Sequence, residues 1–339
     1  MRSAIIGCGR IAPIHARAMM QTEGLALTAC ADIDPAKAAA FAEEFGLEAF
    51  TDYRELLAVA KPEAVHICTP HHLHVQMAEE ALNRGIHVIL EKPAAISRDS
   101  FYHLVQVQEH SKAQIGICFQ NRYNAAITHL KDRLDNGEGG AVLGARYFLT
   151  WKRGQDYYSD GWHGRRETEG GGVLINQAIH SMDLLVHLLG PATDVQAAMH
   201  NRHLQGVIDV EDTLEAYIRF QDAPVLFYAS LAYSADAPIL MEIDCEHATY
   251  SLSGEELTIT TRDDQRSMAD HSRLPDGGLP YWGSSHKLLI TDFYQSIQEK
   301  RPFPITPSSV QDTMALVYGC YASAHTGKTV VLENRKDTA

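Results

Sequence analysis

The segment IHVILEKPAA carries an apolar run straight into Glu91, Lys92 and Pro93. A lysine at the end of a buried strand is a candidate proton carrier. Partial desolvation, or a cationic ring beside it, lowers its pKa from about 10.4 toward the range useful for proton transfer. Charged residues also cap strands merely because they reach solvent, so the meaning of this pair depends on its surroundings. Pro93 restricts the backbone that follows, and a cis peptide at this turn is compatible with the sequence. A second group lies in GGGVLINQAIHSMDLLVHLLGP (170–191), where Asn176, His180 and Asp183 stand at i, i+4 and i+7 and share one helical face. Polar groups among Val173, Leu174, Ile179, Leu184 and Leu188 must meet something polar, either a ligand or a partner within the core.

A third group is a glycine turn. Gly7-Cys8-Gly9-Arg10-Ile11-Ala12 fits G-x-G-x-x-G/A and follows the short apolar run SAIIG. Gly7 permits a tight turn, Gly9 lets backbone amides approach a pyrophosphate, and Ala12 allows close packing of the helix that begins around Ile11. The next strand, LALTACAD, ends in Asp32, 23 residues after Gly9. There a carboxylate hydrogen-bonds both hydroxyls of an adenosine ribose. It repels a 2′-phosphate, and neither Ile33 nor Asp34 offers a compensating cation, so NAD is favoured over NADP.

These groups need elements to hold them. Up to about residue 120, short β-rich runs alternate with amphipathic helical stretches, the signature of a parallel sheet wound on both sides. Strand ends in such a sheet line the ligand crevice. CTPHHLH (68–74) and EKP (91–93) occupy two of these ends. Thr69, His71, His74, Glu91 and Lys92 are therefore expected around the nicotinamide end of the cofactor, with Arg10, Ile11, Gln120 and Trp162 completing the contact set. His71, His72 and His74 suggest a metal, but no carboxylate or thiol completes a ligand set and hydride transfer needs none, so no metal is expected.

From about Val142 the pattern changes to period-two alternation, as in Leu214, Ala216, Ile218, Phe220 and then Val225, Phe227, Ala229, Leu231. One buried face means an open, largely antiparallel sheet. The fold class is thus α/β: a doubly wound Rossmann domain over 1–122 and an α+β domain over 123–339 for substrate binding and oligomerisation. The last helical pattern, 310–326, is a candidate to pack back on the first domain, and RDDQRSMADHSRLPDGG (262–278) reads as a long polar surface loop.

Composition narrows the partners. At 339 residues and 45% apolar content the chain can bury a large core, and its length favours two domains. A formal charge of −14, from 29 basic and 43 acidic residues, argues against nucleic acid or an anionic membrane and for a small molecule. No apolar run approaches membrane-spanning length, and MRSAIIGCGR leads into a strand without a signal-peptide core, so a cytoplasmic protein is expected. Cys8, Cys30, Cys68, Cys118, Cys245 and Cys320 are scattered without a CxxC spacing. They read as buried free thiols and not as a disulfide framework or zinc site.

The segment WKRGQDYYSDGWHGRRETE (151–169) precedes the GGG helix and concentrates Trp151, Arg153, Tyr157, Trp162 and Arg165. Aromatic platforms with hydrogen-bonding cations suit a polyhydroxylated, sugar-like ligand, contacted also by Arg122, Asn176 and His180. A dimer interface rich in Trp, Tyr and Arg would use the same residues.

With the cradle, the EKP strand end and the GGG…H helix in this order, the chain resembles the Gfo/Idh/MocA oxidoreductases, the family of glucose-fructose oxidoreductase and inositol dehydrogenase. The resemblance extends over nearly the whole chain, including HKLLITDFYQSIQEKRPFPIT. It implies an N-terminal Rossmann domain, a C-terminal domain whose open sheet forms dimers or tetramers, and NAD(P)-linked redox chemistry on sugars, cyclitols and related compounds. It implies further that Lys92 is the proton-relay lysine and His180 the histidine of a D-x-x-x-H helix motif. One position departs: NQAIH has Asn176 where many members carry aspartate. Asparagine cannot accept a proton or carry charge, which leaves it to orient a hydroxyl or His180, and leaves Lys92 and His180 to manage the proton.

Two other functions use the same parts. A redox-assisted lyase or glycosidase retains NAD and oxidises a sugar hydroxyl only transiently, so a neighbouring group can be eliminated. A silent sensor binds dinucleotide and a partner protein, and has no need of the proton relay that Lys92 and His180 would form.

Overall fold

The opening run of small and β-branched residues forms β1 (Arg2–Ile6), whose Ala4, Ile5 and Ile6 are buried. The computed structural model describes residues 1–254, 256–269 and 285–332. After β1 come α1 (Ala12–Met20), β2 (Ala26–Ala31), α2 (Pro35–Phe45), β3 (Glu48–Phe50), α3 (Tyr53–Val59), β4 (Ala64–Ile67), α4 (His74–Asn83), β5 (His87–Leu90), α5 (Arg98–His110) and β6 (Ile115–Ile117). The six strands form an all-parallel sheet in the order 3-2-1-4-5-6. Its order reverses between β1 and β4, and the carboxyl ends flanking such a switch point form the ligand crevice of open α/β sheets.

Local chemistry punctuates the helices. Asp34 accepts the Ala36 and Lys37 N–H groups at the start of α2, which has Pro35 in its first turn and ends at Gly46 in the left-handed region. Ser97 caps α5 through the Ser100 N–H.

The second unit opens with α6 (Ala125–Asp135), β7 (Val142–Thr150), the single turn α7 (Arg166–Glu169) and α8 (Ile179–Leu189). Strands β8 (Asp194–His200), β9 (Thr213–Phe220), β10 (Ala223–Ser230), β11 (Leu240–Cys245), β12 (Ala248–Ser253), β13 (Glu256–Thr261) and β14 (Gln265–Ala269) follow. The chain then rejoins the first unit as α9 (His286–Gln298), packed on α1, and its continuation gives the Ile305 carbonyl to the Ile117 N–H beside β6. It closes in the second unit with α10 (Gln311–Thr326) and β15 (Val330–Val331). The described residues thus form two compact units, 1–120 with 285–309, and 121–269 with 310–332.

The second sheet has nine strands in the order 14-13-12-11-7-10-9-8-15 and is antiparallel except where β10 runs parallel to β7. Its alternation is as the sequence indicates: Tyr147, Leu149, Leu214, Ile218, Val225, Phe227, Met241 and Ile243 are buried, with Tyr147 stacked on Phe227.

Three expectations are corrected. The helix over 310–326 packs on β8, α8 and β15 of the second unit, because its buried residues, among them Met314, Leu316 and Val317, complete that unit's core; α9 is the helix that returns to the first. Within the polar stretch 262–278, Gln265–Ala269 pairs antiparallel with β13 as an edge strand, and 270–278 lies outside the described residues. The run Arg166–Leu189 is long and apolar enough to cross a membrane by composition, but 78% of its most apolar window is buried, as befits a core helix.

Candidate active site

The glycine turn has two different glycines. Gly7 sits at φ +92°, and a Cβ there would lie 2.6 Å from the Cys68 carbonyl oxygen of the neighbouring strand end. Only glycine fits such a backbone and such an approach. Around Gly9, by contrast, nothing lies within 4 Å of an added Cβ, so open space stands above the turn where a pyrophosphate would rest on the start of α1. Asp32, at the end of β2, accepts the Cys8 N–H at 2.8 Å and the Asp34 N–H at 2.9 Å, one on each oxygen. Those bonds fix the carboxylate while leaving lone pairs for two ribose hydroxyls. The turn and the acid together fit a dinucleotide.

Four neighbouring strands end on this same edge. Thr69 and Lys92, half-buried, follow β4 and β5, and the Lys92–Pro93 peptide is cis. Behind Lys92 the interior is unusually polar. His15 of α1 bonds His66 of β4 (Nδ1 to Nδ1, 2.7 Å) and Glu91 (Nε2 to Oε1, 2.9 Å), and His66 Nε2 meets the Tyr294 hydroxyl of α9 at 3.0 Å. Burial pushes the His66 pKa well down and that of His286 to about 4, whereas sulfur and carboxylate neighbours overcome burial and raise His15 well above its ordinary value. Although burial opposes it, the bond to His15 helps hold Glu91 well below the carboxylate range.

Donor atoms of His15, Glu91 and Cys118 lie within 4.8 Å of one another. The His15 ring nitrogens are already engaged with His66 and Glu91, and burial pushes the Cys118 thiol up to about 12, so this cluster is a hydrogen-bonded core of neutral thiol, histidine and carboxylate.

In the second unit, a π-helical turn over Leu174–Ala178 runs directly into α8, with the Ala178 N–H reaching the Val173 carbonyl at 2.7 Å. The glycines before it are needed sterically. An added Cβ would lie 1.9 Å from the Tyr321 hydroxyl oxygen at Gly171 and 1.9 Å from the Glu211 carbonyl oxygen at Gly172. Buried Glu211 accepts the Gly172 N–H, the Leu174 N–H and the Tyr321 hydroxyl, and so anchors the start of the helical run. Asn176 gives its amide to Glu169 at 2.5 Å and to the Tyr157 hydroxyl at 3.3 Å, which Gln177 also meets at 3.1 Å. Tyr157 is flanked by the His163 ring and the Arg153 guanidinium, 4.8 and 5.5 Å from its centroid.

Two family models match this chain: the oxidoreductase family with NAD-binding Rossmann fold over residues 1–119, and the GFO/IDH/MocA C-terminal domain over 127–251. The chain belongs to the Gfo/Idh/MocA oxidoreductase family. It is 26% identical to D-glucoside 3-dehydrogenase of Escherichia coli K12, covering 98% of this chain and 97% of that protein. It is 30% identical to inositol 2-dehydrogenase of Salmonella paratyphi B over 42% of this chain and 44% of that protein. Among solved structures, the WlbA dehydrogenase from Chromobacterium violaceum in complex with NADH and UDP-GlcNAcA aligns with a TM-score of 0.86 at 27% identity, covering 98% of this chain and 96% of that one. Levoglucosan dehydrogenase in complex with NADH and levoglucosan shares the fold, at a TM-score of 0.88, 21% identity and coverage of 98% and 100%.

Within this Gfo/Idh/MocA chain, several expected contacts are turned elsewhere. Glu91 directs its carboxylate inward to His15, because the buried polar cluster behind the strand end offers it a histidine partner. His74 is fully buried, its ring nitrogens 2.8 Å from the Pro93 carbonyl and 2.9 Å from that of Thr69, so it ties the two strand-end loops together. His71 and Gln120 are buried as well, whereas Arg10 is exposed and Ile11 half-buried at the turn. Arg122 makes a bidentate pair with Asp183, at 2.8 and 2.5 Å, and Thr313 donates to the same carboxylate. Trp151 is buried, its indole donating to the Ala237 carbonyl, and Arg153 lies across it while bonding Asp236. Each of these three side chains thus has a partner within the protein, and Arg153 also lies over the Tyr157 ring. Trp162 lies over His163, Arg165 is exposed at the start of α7, and His180 is half-buried on α8. Asp183 does not share partners with Asn176, since the π-helical turn shifts the helical phase between them.

The sequence reading missed His15, His66, Tyr294, Glu169 and Glu211. A histidine inside the apolar strand AVHI was a visible signal for His66. Nothing local marks the other four.

Proposed function

We propose that this protein is an NAD-dependent dehydrogenase that oxidises a secondary hydroxyl of a sugar, cyclitol or sugar derivative, and reduces the corresponding ketone in reverse. The observation that carries this reading is the shared edge: Lys92 follows β5 on the same side of the parallel sheet as the Gly7–Gly9 turn and Asp32. The whole-length likeness to a glucoside dehydrogenase supports the substrate class. Residues 1–122 would hold the dinucleotide, and 123–339 the substrate.

Bound NAD supplies the hydride acceptor. The chain's part is orientation and proton transfer: Lys92 Nζ takes the hydroxyl proton as the C–H bond breaks, and His180 acts as its hydrogen-bonding partner or co-relay. Asn176, held by Glu169, offers an oriented amide and cannot take a proton. Tyr157 and Trp162 supply platforms for a ring with axial C–H groups. Asp32 carries no cationic neighbour at Ile33 or Asp34 and favours NAD over NADP.

A homodimer or homotetramer fits the outer face of the second sheet, where the exposed Leu226 of β10 stands opposite the exposed Tyr217 of β9 and the exposed Phe148 of β7 stands opposite Tyr228 of β10. Six free cysteines, five of them buried, fit the reducing cytoplasm.

The test is NADH formation from NAD⁺ across free sugars, cyclitols, anhydrosugars and nucleotide sugars, with NADP⁺ in parallel. Turnover with one sugar class, absent in Lys92→Ala, is expected. Silence across the panel with NAD bound to the purified protein would replace this reading by an NAD-retaining lyase or a sensor. Wild-type turnover in Lys92→Ala would remove Lys92 from its role.

A further inference from the structure

Four side chains from four elements meet in the interior of the first unit with no role in the reaction just described: His15 of α1, His66 of β4, Glu91 at the end of β5 and Tyr294 of α9. None is more than slightly exposed, and His15 and His66 are fully enclosed. Packing alone does not require such residues, since an apolar quartet would fill the same volume without desolvating a carboxylate. Their order is chemically meaningful. The line runs Tyr294 Oη, His66 Nε2, His66 Nδ1, His15 Nδ1, His15 Nε2, Glu91 Oε1, with no contact longer than 3.0 Å. The other Glu91 oxygen accepts the backbone N–H of Lys92 at 3.3 Å.

Donor counting gives this line two complete arrangements. With His15 cationic, it donates to both Glu91 and His66 Nδ1, and His66 Nε2–H donates to the Tyr294 hydroxyl. With His15 neutral, its Nε2–H still donates to Glu91, His66 Nδ1–H donates to His15 Nδ1, and the Tyr294 hydroxyl donates to His66 Nε2. In both arrangements each contact of the line joins one donor to one acceptor, so the line takes up one extra proton by a switch of the His66 tautomer and of the Tyr294 hydroxyl, with no heavy atom moving. What changes between them is the charge paired with Glu91, the residue bonded to Lys92 in sequence.

We propose that His15, backed by His66 and Tyr294, is a positioning residue for proton transfer at Lys92, acting by neutralising the Glu91 carboxylate behind it. This rests on Lys92 being the proton carrier. Cationic His15 cancels much of the Glu91 field, and Lys92 then gives up its proton more readily. Neutral His15 leaves the anion uncompensated, and an adjacent anion holds an ammonium in its charged form. The raised pKa of His15 and the depressed pKa of Glu91 agree with the ion-paired arrangement. The groups facing His15 are His66 and Cys68 from β4 and its end, Glu91 after β5, Cys118 after β6, and His286 and Tyr294 from α9, while Lys92 acts on Glu91 and His286. His286 Nε2 stands 3.9 Å from the same Glu91 oxygen but is held neutral by burial, so His15 is the paired cation.

The experiment is the pH dependence of kcat/KM and kcat for wild type, His15→Gln, Glu91→Gln and Lys92→Ala, with NAD affinity measured by titration as a folding control. Glutamine at 15 still donates to Glu91 but carries no charge. The acid limb of kcat/KM is expected to move up by about one pH unit in His15→Gln and down in Glu91→Gln, with NAD affinity within about twofold of wild type. Shifts of the same sign in both variants, or none, would overturn the proposal, as would equal loss at every pH. Retained turnover in Lys92→Ala would instead remove the reading it rests on. If His15→Gln fails to bind NAD, His66→Gln, one step further along the line, is expected to move the same limb in the same direction by less, and an unmoved limb there would overturn the proposal.

Discussion

Asn176 donates its side-chain amide to Glu169 Oε1 at 2.5 Å, while the other oxygen of that buried carboxylate accepts the Gly164 N–H at 2.5 Å. An amide, not an acid, is therefore what this helix position accommodates: a carboxylate at 176 would face a carboxylate already enclosed.

Restoring an aspartate tests this directly. Asn176→Asp brings two buried acids together, and the pair is expected to retain one proton. The folded state then binds more protons than the unfolded one, so stability falls as pH rises. A loss of about 3 kcal/mol at neutral pH, shrinking toward pH values near the ordinary carboxylate pKa, is expected from denaturant unfolding at several pH values. An equal loss at all pH values would mean that the acids do not interact.

The two glycines of the first turn should respond oppositely. Gly7→Ala forces a Cβ to 2.6 Å from the Cys68 carbonyl at φ +92°, and should lower stability by about 3 kcal/mol. Gly9→Val meets nothing within 4 Å, so its melting temperature should match wild type. Its NAD affinity should fall at least about tenfold, because the branched side chain occupies the space above the turn. Thermal melts with and without NAD separate the two effects.

Gly172→Ala places a methyl 1.9 Å from the Glu211 carbonyl oxygen, which belongs to rigid backbone. The start of the π-helical turn must move, and with it Asn176. A destabilisation above about 3 kcal/mol is expected in chemical denaturation, together with loss of turnover in whatever fraction folds. Gly9 and Gly172 thus separate binding from scaffold.

The ion pair behind Lys92 gives stability a two-sided pH dependence. Glu91 is depressed from 4.5, so its contribution is present above that value and lost as pH falls through the folded pKa. His15 is raised from 6.5, so its contribution is present below that value and lost as pH rises through the folded pKa. The difference in unfolding free energy between wild type and a His15→Gln, Glu91→Gln double variant should be greatest between pH 4.5 and 6.5 and decline on both sides. A difference flat across the range would mean that the pair is uncharged.

The parts of this protein governed by neighbours in sequence were legible before folding. G-x-G-x-x-A after an apolar strand, with Asp32 closing the next strand, requires only chain connectivity to become a cradle, and the period-two runs of the second sheet carry their own buried face. Side-chain direction at the strand ends was not legible. β5 is buried along nearly its whole length, so its pattern has no parity to say which way Glu91 turns, and only the arrival of His15, 76 residues away in sequence, decides it. His66 and Tyr294 meet across 228 residues, and Arg122 finds Asp183 across 61. The helix carrying Asn176 and His180 was read with an even α-helical phase, but an extra residue in one turn, accommodated by Gly171 and Gly172 packed against Tyr321 and Glu211, separates Asn176 from Asp183. Sequence alone determined the cradle, the sheet types and the strand-end lysine, because backbone preference and apolar periodicity are local. Tertiary structure decided which polar groups face inward, because a buried charge is tolerated only where distant segments bring it a partner.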